Sequence, residues 1–171
     1  MLRISKLTDY GVILVAELAR LKESECASVP QLTEATALPA PTVSKVLKHL
    51  TRVGLVRSYR GVRGGYRLAK QPRELRLIDI VSVFEGPLSI TECATPKNVP
   101  CEHHRECSVR RQWERINEFM YDTLAAITLE DMLKTDEDLL VRLQITGPKL
   151  PKLRPMFRPS DPQVEAQIRA K

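Results

Sequence analysis

Residues 39–69 read PAPTVSKVLKHLTRVGLVRSYRGVRGGYRLA, and this stretch predicts the fold of the domain around it. Pro41 suits the first turn of a helix over 42–53, in which apolar residues form one face and polar and basic residues the other. Gly54 is placed to end that helix. The sequence RGVRGG at 60–65 follows, flanked by β-like pieces, and its three glycines permit a tight turn. The stretch therefore predicts a helix followed directly by a basic hairpin.

The chain on either side of this stretch predicts a winged helix. A shorter helix is expected over 30–36, and it must end at LPAP (38–41) because each proline disfavours helix at the residue before it. Two short helices joined by a tight turn are typical of a helix-turn-helix, and a basic hairpin directly after it adds the wing. Helices over 5–21 and 75–85 complete the domain. The predicted fold class is mainly α with a small β-hairpin (α+β), with a winged helix-turn-helix domain over 1–87.

The charge of the chain is concentrated in the same region. Residues 42–73 contain nine Lys or Arg and no Asp or Glu. The net charge is +7 over 1–70, −5 over 71–145 and +4 over 146–171, which gives the total of +6. A basic domain beside an acidic segment is typical of a DNA-binding unit joined to a regulatory or assembly unit. The alternative is a solvated basic face without a partner.

Double-stranded operator DNA is the expected partner of this basic region. In a winged helix the second helix enters the major groove, and the hairpin reaches the flanking backbone or the minor groove. Phosphate contacts then supply most of the affinity, and base contacts supply the sequence choice. The candidates for the major groove are Thr42, Ser44, Lys45 and Lys48. The candidates for phosphate or the minor groove are Arg57, Arg60, Arg63 and Arg67, each of which could instead be a solvated surface group.

The composition suits a cytoplasmic protein with a core of aliphatic residues. The chain has 171 residues, of which 43% are hydrophobic and only 5% aromatic. It contains no apolar run of transmembrane length and no signal-peptide core at its start, so no membrane association is expected. Thiols stay reduced in the cytoplasm, and clustered cysteines there are ligands or sensors more often than disulfide partners.

Three cysteines predict a metal centre in a loop over 88–107. Cys93, Cys101 and Cys107 are spaced Cys-x7-Cys-x5-Cys. Structural zinc sites usually have paired cysteines two to four residues apart, and the ferredoxin spacings are absent as well. The spacing therefore indicates a metal held by one irregular loop. Cys26 lies far upstream and is interpreted as a small buried or surface residue.

A long helix after the loop, within 108–135, predicts a homodimer. Its apolar side chains recur at alternating steps of four and three residues, which is a heptad stripe. A dimer contact is favoured because DNA half-sites suit two-fold symmetry, and packing on the helix's own domain is the alternative. After Gly147 five prolines in fifteen residues predict a disordered basic tail over 147–171. The predicted interface consists of Val109, Trp113, Ile116, Met120 and Ile127.

Several motifs together closely resemble the IscR/NsrR family of dimeric winged-helix transcription regulators, which carry an iron–sulfur cluster. They are LRISKLTDYG, VSKVLKHL, GLVRSYRGVRGGYRLA, ITEC with the next two cysteines, and RRQWERIN. The resemblance covers roughly residues 1–135. TDYG, RGGY and TEC…C…C…W look most like the branch that regulates the SUF system of iron–sulfur assembly.

The resemblance implies a [2Fe–2S] cluster bound by Cys93, Cys101 and Cys107 with a fourth ligand that is not cysteine. In one subgroup that ligand is a His three residues after the last Cys. Arg110 occupies this position here, and a guanidinium stays protonated and is unsuitable as a ligand. Another subgroup uses an acidic residue near the N-terminus of the partner subunit, and Asp9 occupies the matching place.

His103 and His104 lie inside the loop and are the alternatives to Asp9 as the fourth ligand. The function implied is a cluster-sensing regulator, most simply a repressor of iron–sulfur assembly genes. A nitric oxide or redox sensor would use the same ligands, and a structural zinc on the three cysteines and one of these histidines is a further possibility. An enzyme is not expected, since no catalytic triad, phosphate loop or second cofactor motif accompanies the cysteines.

Overall fold

The computed structural model describes residues 3–22, 24–91 and 107–134 of the chain. Within these residues the chain forms six α-helices, one antiparallel β-hairpin and a single 3₁₀ turn, which confirms the predicted fold class. None of the helices described is both long and apolar enough to cross a membrane. The elements are α1 (Lys6–Ala19), α2 (Val29–Thr36), α3 (Ala40–Arg52), β1 (Val56–Tyr59), β2 (Gly65–Leu68), the 3₁₀ turn (Pro72–Glu74), α4 (Leu77–Glu85), α5 (Arg110–Ala126) and α6 (Leu129–Met132).

The turn between α2 and α3 follows from residues that cannot continue a helix. Helix α2 ends at Ala37, which adopts a left-handed backbone conformation with φ of 55°. Pro39 precedes α3 in an extended conformation, and Pro41 lies in its first turn, where a missing N–H costs no intrahelical hydrogen bond. These residues join the two helices of the helix-turn-helix by a short turn, as the sequence predicts.

Helix α3 is held by one fully buried face. Val43, Val46, Leu47 and Leu50 are each 0% exposed and pack in the same core as Leu14 of α1. Burying a side chain of this size contributes about 1.5–3 kcal/mol. The opposite face therefore remains free for other contacts, and its orientation is fixed by the core.

The hairpin is anchored to the loop that precedes α2. Strand β1 pairs antiparallel with β2, so that Arg57 faces Arg67 and Ser58 faces Tyr66. Ala27 N donates to Tyr66 O at 2.9 Å, and Tyr66 N donates to Ala27 O at 2.8 Å. This pair of backbone hydrogen bonds fixes the base of the hairpin against the helix-turn-helix.

Helix α5 packs on α4 but buries no residue within the chain. Val109, which directly precedes α5, is 50% exposed, and Trp113 and Ile116 in the first half of the helix are 38% and 44% exposed, so the predicted stripe lies open there. Met120, in the second half, is half-buried and lines a cavity between α5 and α4. The second half of the stripe therefore packs on the helix's own domain, and the first half is exposed to solvent.

Ile127, which the sequence places last on the predicted dimer stripe, lies beyond the end of α5 and packs within the chain. Helix α5 ends at Ala126, and Ile127 is extended and only 7% exposed. Leu77 N donates to Ile127 O at 2.8 Å, and Leu129 N donates to Leu75 O at 2.7 Å. Leu129 is 0% exposed in the core of the winged-helix domain. Residues 127–129, which lie within the predicted dimerisation region at 108–135, thus contact the core of the winged-helix domain.

Candidate nucleic-acid interface and cluster residues

The solvent face of α3 carries the residues predicted to enter the major groove. Ser44, Lys45 and Lys48 are exposed, and Thr42 is half-buried at the start of the helix. In the part of the chain that the structure describes, neither lysine is paired with a carboxylate. The two ammonium groups therefore remain available to an anion outside the protein.

Three of the four predicted arginines of the hairpin are exposed, like the lysines of α3. Arg57, Arg60 and Arg63 are exposed and lack an ion pair within the described residues. Arg67 differs, since its guanidinium lies 4.3 Å above the ring of Tyr59 and donates from Nη2 to Tyr59 Oη at 2.6 Å. Stacking of this kind orders the guanidinium on the hairpin surface. The Arg67 guanidinium is therefore held against Tyr59 on the hairpin surface.

A polar groove separates α3 from the hairpin, and sequence reasoning did not identify it as a unit. The spacing of four residues that places Ser44, Lys48 and Arg52 in one row was visible in the sequence. The opposite side was not, because it depends on the strand register. This helix–hairpin groove is lined by Ser44, Lys48, Thr51, Arg52, Ser58 and Tyr66.

Two of the predicted cluster ligands lie in the described part of the chain. Cys107 is a half-buried free thiol just before α5, and Asp9 is exposed in the first turn of α1. Arg110 Nε is bonded to Glu114 Oε1 at 2.7 Å, in agreement with its rejection as a ligand. Within residues 3–22, 24–91 and 107–134 no group of three or more His, Cys, Asp or Glu side chains could hold a metal ion. The other candidates, Cys93, Cys101, His103 and His104, lie outside the described residues.

The helix start that carries Asp9 is joined to the end of α4 by Glu85. Glu85 Oε1 accepts a hydrogen bond from Ser5 N at 2.9 Å and another from the hydroxyl of Thr8, which is fully buried. Hydrogen bonds from Thr8 and Ser5 to the carboxylate hold the pKa of Glu85 below its usual value. The first turn of α1 and the last residue of α4 are therefore tied together by one ionised side chain.

Glu85→Gln is expected to remove a pH-dependent part of the stability. A depressed pKa in the folded state stabilises the protein above the unfolded Glu pKa of about 4.3, and this contribution is lost as the pH falls through the folded value. The wild type should thus exceed the variant in free energy of unfolding at about pH 7, and the difference should shrink below about pH 4. Urea unfolding across this range measures it, with Glu34→Gln on the exposed face of α2 as the control. A difference that stays constant with pH would contradict the role of the Glu85 charge.

Together, the helix-turn-helix, the unpaired lysines of α3 and the basic hairpin anchored beside it define a winged-helix DNA-binding protein. The chain belongs to the Rrf2 family of iron-dependent transcriptional regulators, whose pattern matches residues 4–135. This membership confirms the family resemblance at the level of IscR and NsrR, and it makes the chain a transcription regulator rather than an enzyme.

Three relatives illustrate the similarity. The global cysteine regulator CymR of B. subtilis is 31% identical with a TM-score of 0.62, and the match covers 78% of this chain and 97% of CymR. IscR of T. potens is 30% identical with a TM-score of 0.60, over 77% of this chain and 86% of that one. The regulator NsrR of Shouchella clausii is 26% identical over 143 residues, which are 84% of this chain and 96% of NsrR.

Proposed function

We propose that the chain is a cytoplasmic, iron–sulfur cluster-sensing repressor that binds operator DNA as a homodimer and controls iron–sulfur (SUF) assembly genes. The observation that carries the proposal is the position of Cys107 at the start of α5. No residue of this helix is fully buried, yet the chain that follows it is fixed in the core of the DNA-binding domain. A ligand at Cys107 therefore acts on the element that connects a dimer contact to the DNA-binding unit.

The donor set fits an iron–sulfur cluster. Thiolates are the usual ligands of such clusters, and Cys107 is free and partly shielded from solvent. Cys93, Cys101 and Cys107 would hold a [2Fe–2S] cluster, with Asp9 from the second copy as the fourth ligand. The cluster would supply a centre that is readily lost or oxidised. The exposure of Asp9 supports a ligand offered to another subunit, since its carboxylate is not used within the described part of its own chain.

The second copy is expected to cover the first half of α5. Apolar surface is exposed along this part of the helix and directly before it, at Val109, Trp113 and Ile116. Burying these side chains in a two-fold contact removes apolar surface from water and sets the distance between two α3 helices. Two arrangements of the dimer with different distances between the α3 helices would be in equilibrium. The cluster shifts this equilibrium only by the difference in its affinity for the two arrangements. Cluster supply would thereby control operator affinity.

Cys107→Ala is expected to eliminate the cluster. Anaerobically purified wild-type protein should show visible absorption and acid-labile sulfide, and the variant should lose both because a principal thiolate ligand is gone. Cys26→Ala is the matched control, since Cys26 is a free thiol outside the proposed site, and it should keep both signals. Zinc without sulfide in the wild type would contradict the proposal in favour of a structural zinc site.

The fourth ligand has a separate readout. Asp9→Ala is expected to change the visible spectrum of the cluster or shorten its lifetime in air, while a wild-type spectrum would transfer the assignment to His103 or His104.

Operator binding by cluster-loaded and cluster-free protein, measured in parallel, gives the sign of the regulation. Loss of the cluster on treatment with nitric oxide, without a response to cluster supply, would support the alternative of a nitric oxide sensor.

A further inference from the structure

We propose that the helix–hairpin groove seats one phosphate of the DNA backbone in each half-site. The groove lies between α3 and the hairpin, and its lining contains hydroxyl, ammonium and guanidinium groups but no carboxylate. This inference rests on the DNA-binding function proposed above and adds to it the chemical group that occupies one place on the interface.

One wall of the groove is a row of side chains along α3. Ser44, Lys48 and Arg52 are each four residues apart, so they project from one side of the helix. All three are exposed, and within the residues that the structure describes Lys48 and Arg52 have no acidic partner. Two cations with unoccupied donors at one groove attract an anion.

The other wall is a cross-strand pair whose position is fixed. Ser58 and Tyr66 face each other directly across the hairpin, so their side chains lie on the same face of the two strands. The backbone N–H and C=O of Tyr66 are both bonded to Ala27. The backbone that carries these two hydroxyls is therefore fixed by the fold relative to the helix-turn-helix, and it is not part of a mobile loop.

The chemistry of the groove selects a phosphate over a small organic molecule. Ligand pockets for metabolites are mostly apolar and enclosed. This groove is open to solvent and has a volume of about 440 Å³, and each side chain that lines it carries a hydroxyl, ammonium or guanidinium group. A phosphodiester oxygen accepts hydrogen bonds from hydroxyl, ammonium and guanidinium groups, and those from charged donors are the stronger ones. When α3 lies in the major groove of a duplex, the phosphates of the DNA backbone lie beside this helix. The helix–hairpin groove is on the same helix, so it can receive one of these phosphates.

The proposal divides the polar residues of α3 into two groups. Ser44 and Lys48, which the sequence suggested for base contact, would instead position the backbone and would not distinguish sequences. Lys45 is exposed but does not line the groove. Lys45 and Thr42 then remain as the candidates for reading base edges.

Replacement of Arg52 distinguishes a phosphate contact from a base contact. Arg52→Ala should weaken binding to a random-sequence duplex and to a duplex selected from a randomised pool by the same factor, about tenfold at low salt. The slope of log affinity against log salt should fall by about 1, since one phosphate contact is lost. Tyr66→Phe should weaken both duplexes with an unchanged slope. Arg73→Ala, an exposed arginine outside the groove, is the matched control.

Three outcomes would overturn the inference. Arg52→Ala could change the ratio of the two affinities, or it could bind both duplexes like the wild type at every salt concentration. Inorganic phosphate could also bind the wild type and not Arg52→Ala while leaving the affinity for both duplexes unchanged at matched ionic strength, which would assign the groove to free phosphate. Failure of the wild type to bind either duplex would contradict the proposed function itself, and the phosphate seat with it.

Discussion

Gly65→Ala is expected to abolish specific DNA binding while the helical core stays folded. Gly65 has φ of 151°, and a Cβ at this position would lie 2.6 Å from Ala27 O and 2.7 Å from Ala27 C. These are backbone atoms of the loop that holds the hairpin, so no side-chain rotation can relieve the overlap. The hairpin must separate from Ala27, and both backbone hydrogen bonds with Tyr66 are lost.

The loss of the hairpin has a cost in stability and a larger one in binding. Two backbone hydrogen bonds and the overpacking together should lower the free energy of unfolding by about 3 kcal/mol. Displacement of Arg57, Arg60 and Arg63 should weaken DNA binding by about 100-fold or more at moderate salt. Circular dichroism should still report the helices, and fluorescence anisotropy with labelled duplex measures the binding.

Gly61→Ala is the matched control for this experiment. Gly61 also has a positive φ, of 113°, but a Cβ there meets nothing within 4 Å. It should carry only the backbone strain of about 1–2 kcal/mol and keep most of the binding. Equal losses of binding in the two variants would show that the hairpin's own turn, and not its anchorage on Ala27, determines DNA affinity.

Leu129→Ala is expected to destabilise the protein by about 2–5 kcal/mol, although Leu129 lies beyond the winged helix in sequence. The side chain is 0% exposed and belongs to the same core as Leu14 and Leu75. Truncation leaves a cavity and weakens the site at which the chain after α5 returns to the first domain. Urea unfolding measures the loss, and hydrogen exchange at the Leu77 and Leu129 amides should accelerate.

Met132→Ala is the control, since Met132 lies on the same short helix and is 38% exposed. It should change the free energy of unfolding by less than about 1 kcal/mol. If Leu129→Ala were equally mild, residues 127–132 would not be part of the domain core, and α5 would be joined to the DNA-binding unit only at its other end.

Most features of the DNA-binding domain that could be predicted depend on residues that are close together in the sequence. The prolines at 39 and 41 and the apolar side of α3 are constraints within a few residues of one another, and the helix-turn-helix follows from them. The strand register is different, because it depends on the geometry of the whole turn. The sequence indicates β-like pieces at 55–59 and 66–69 around the glycines. Strand β2 runs over Gly65–Leu68, one residue earlier, and the pairing of Ser58 with Tyr66 could not be assigned beforehand.

The apolar period alone does not locate the end of α5, because this period continues past the residue at which the helix ends. Ile127 keeps the spacing of the heptad stripe, but Thr128 begins a new helix. Its hydroxyl accepts from Asp131 N at 3.2 Å, and the Asp131 carboxylate accepts from Thr128 N at 3.0 Å. This capping box was present in the sequence as TLED and would have identified the boundary. The cluster candidates could not be judged in this way, since only Cys107 and Asp9 lie in the described residues.

The anchorage of Tyr66 on Ala27 has a consequence for the operator. Because the hairpin is bonded to the loop before α2, we expect the wing to keep its position relative to the helix-turn-helix. With α3 in the major groove as proposed, the wing would then contact the duplex at a fixed interval from α3. Inserting one base pair between the two contacts should weaken binding, since it shifts them by about 3.4 Å along the helix axis. Spacing within the half-site would then be part of the recognised sequence, like the bases themselves.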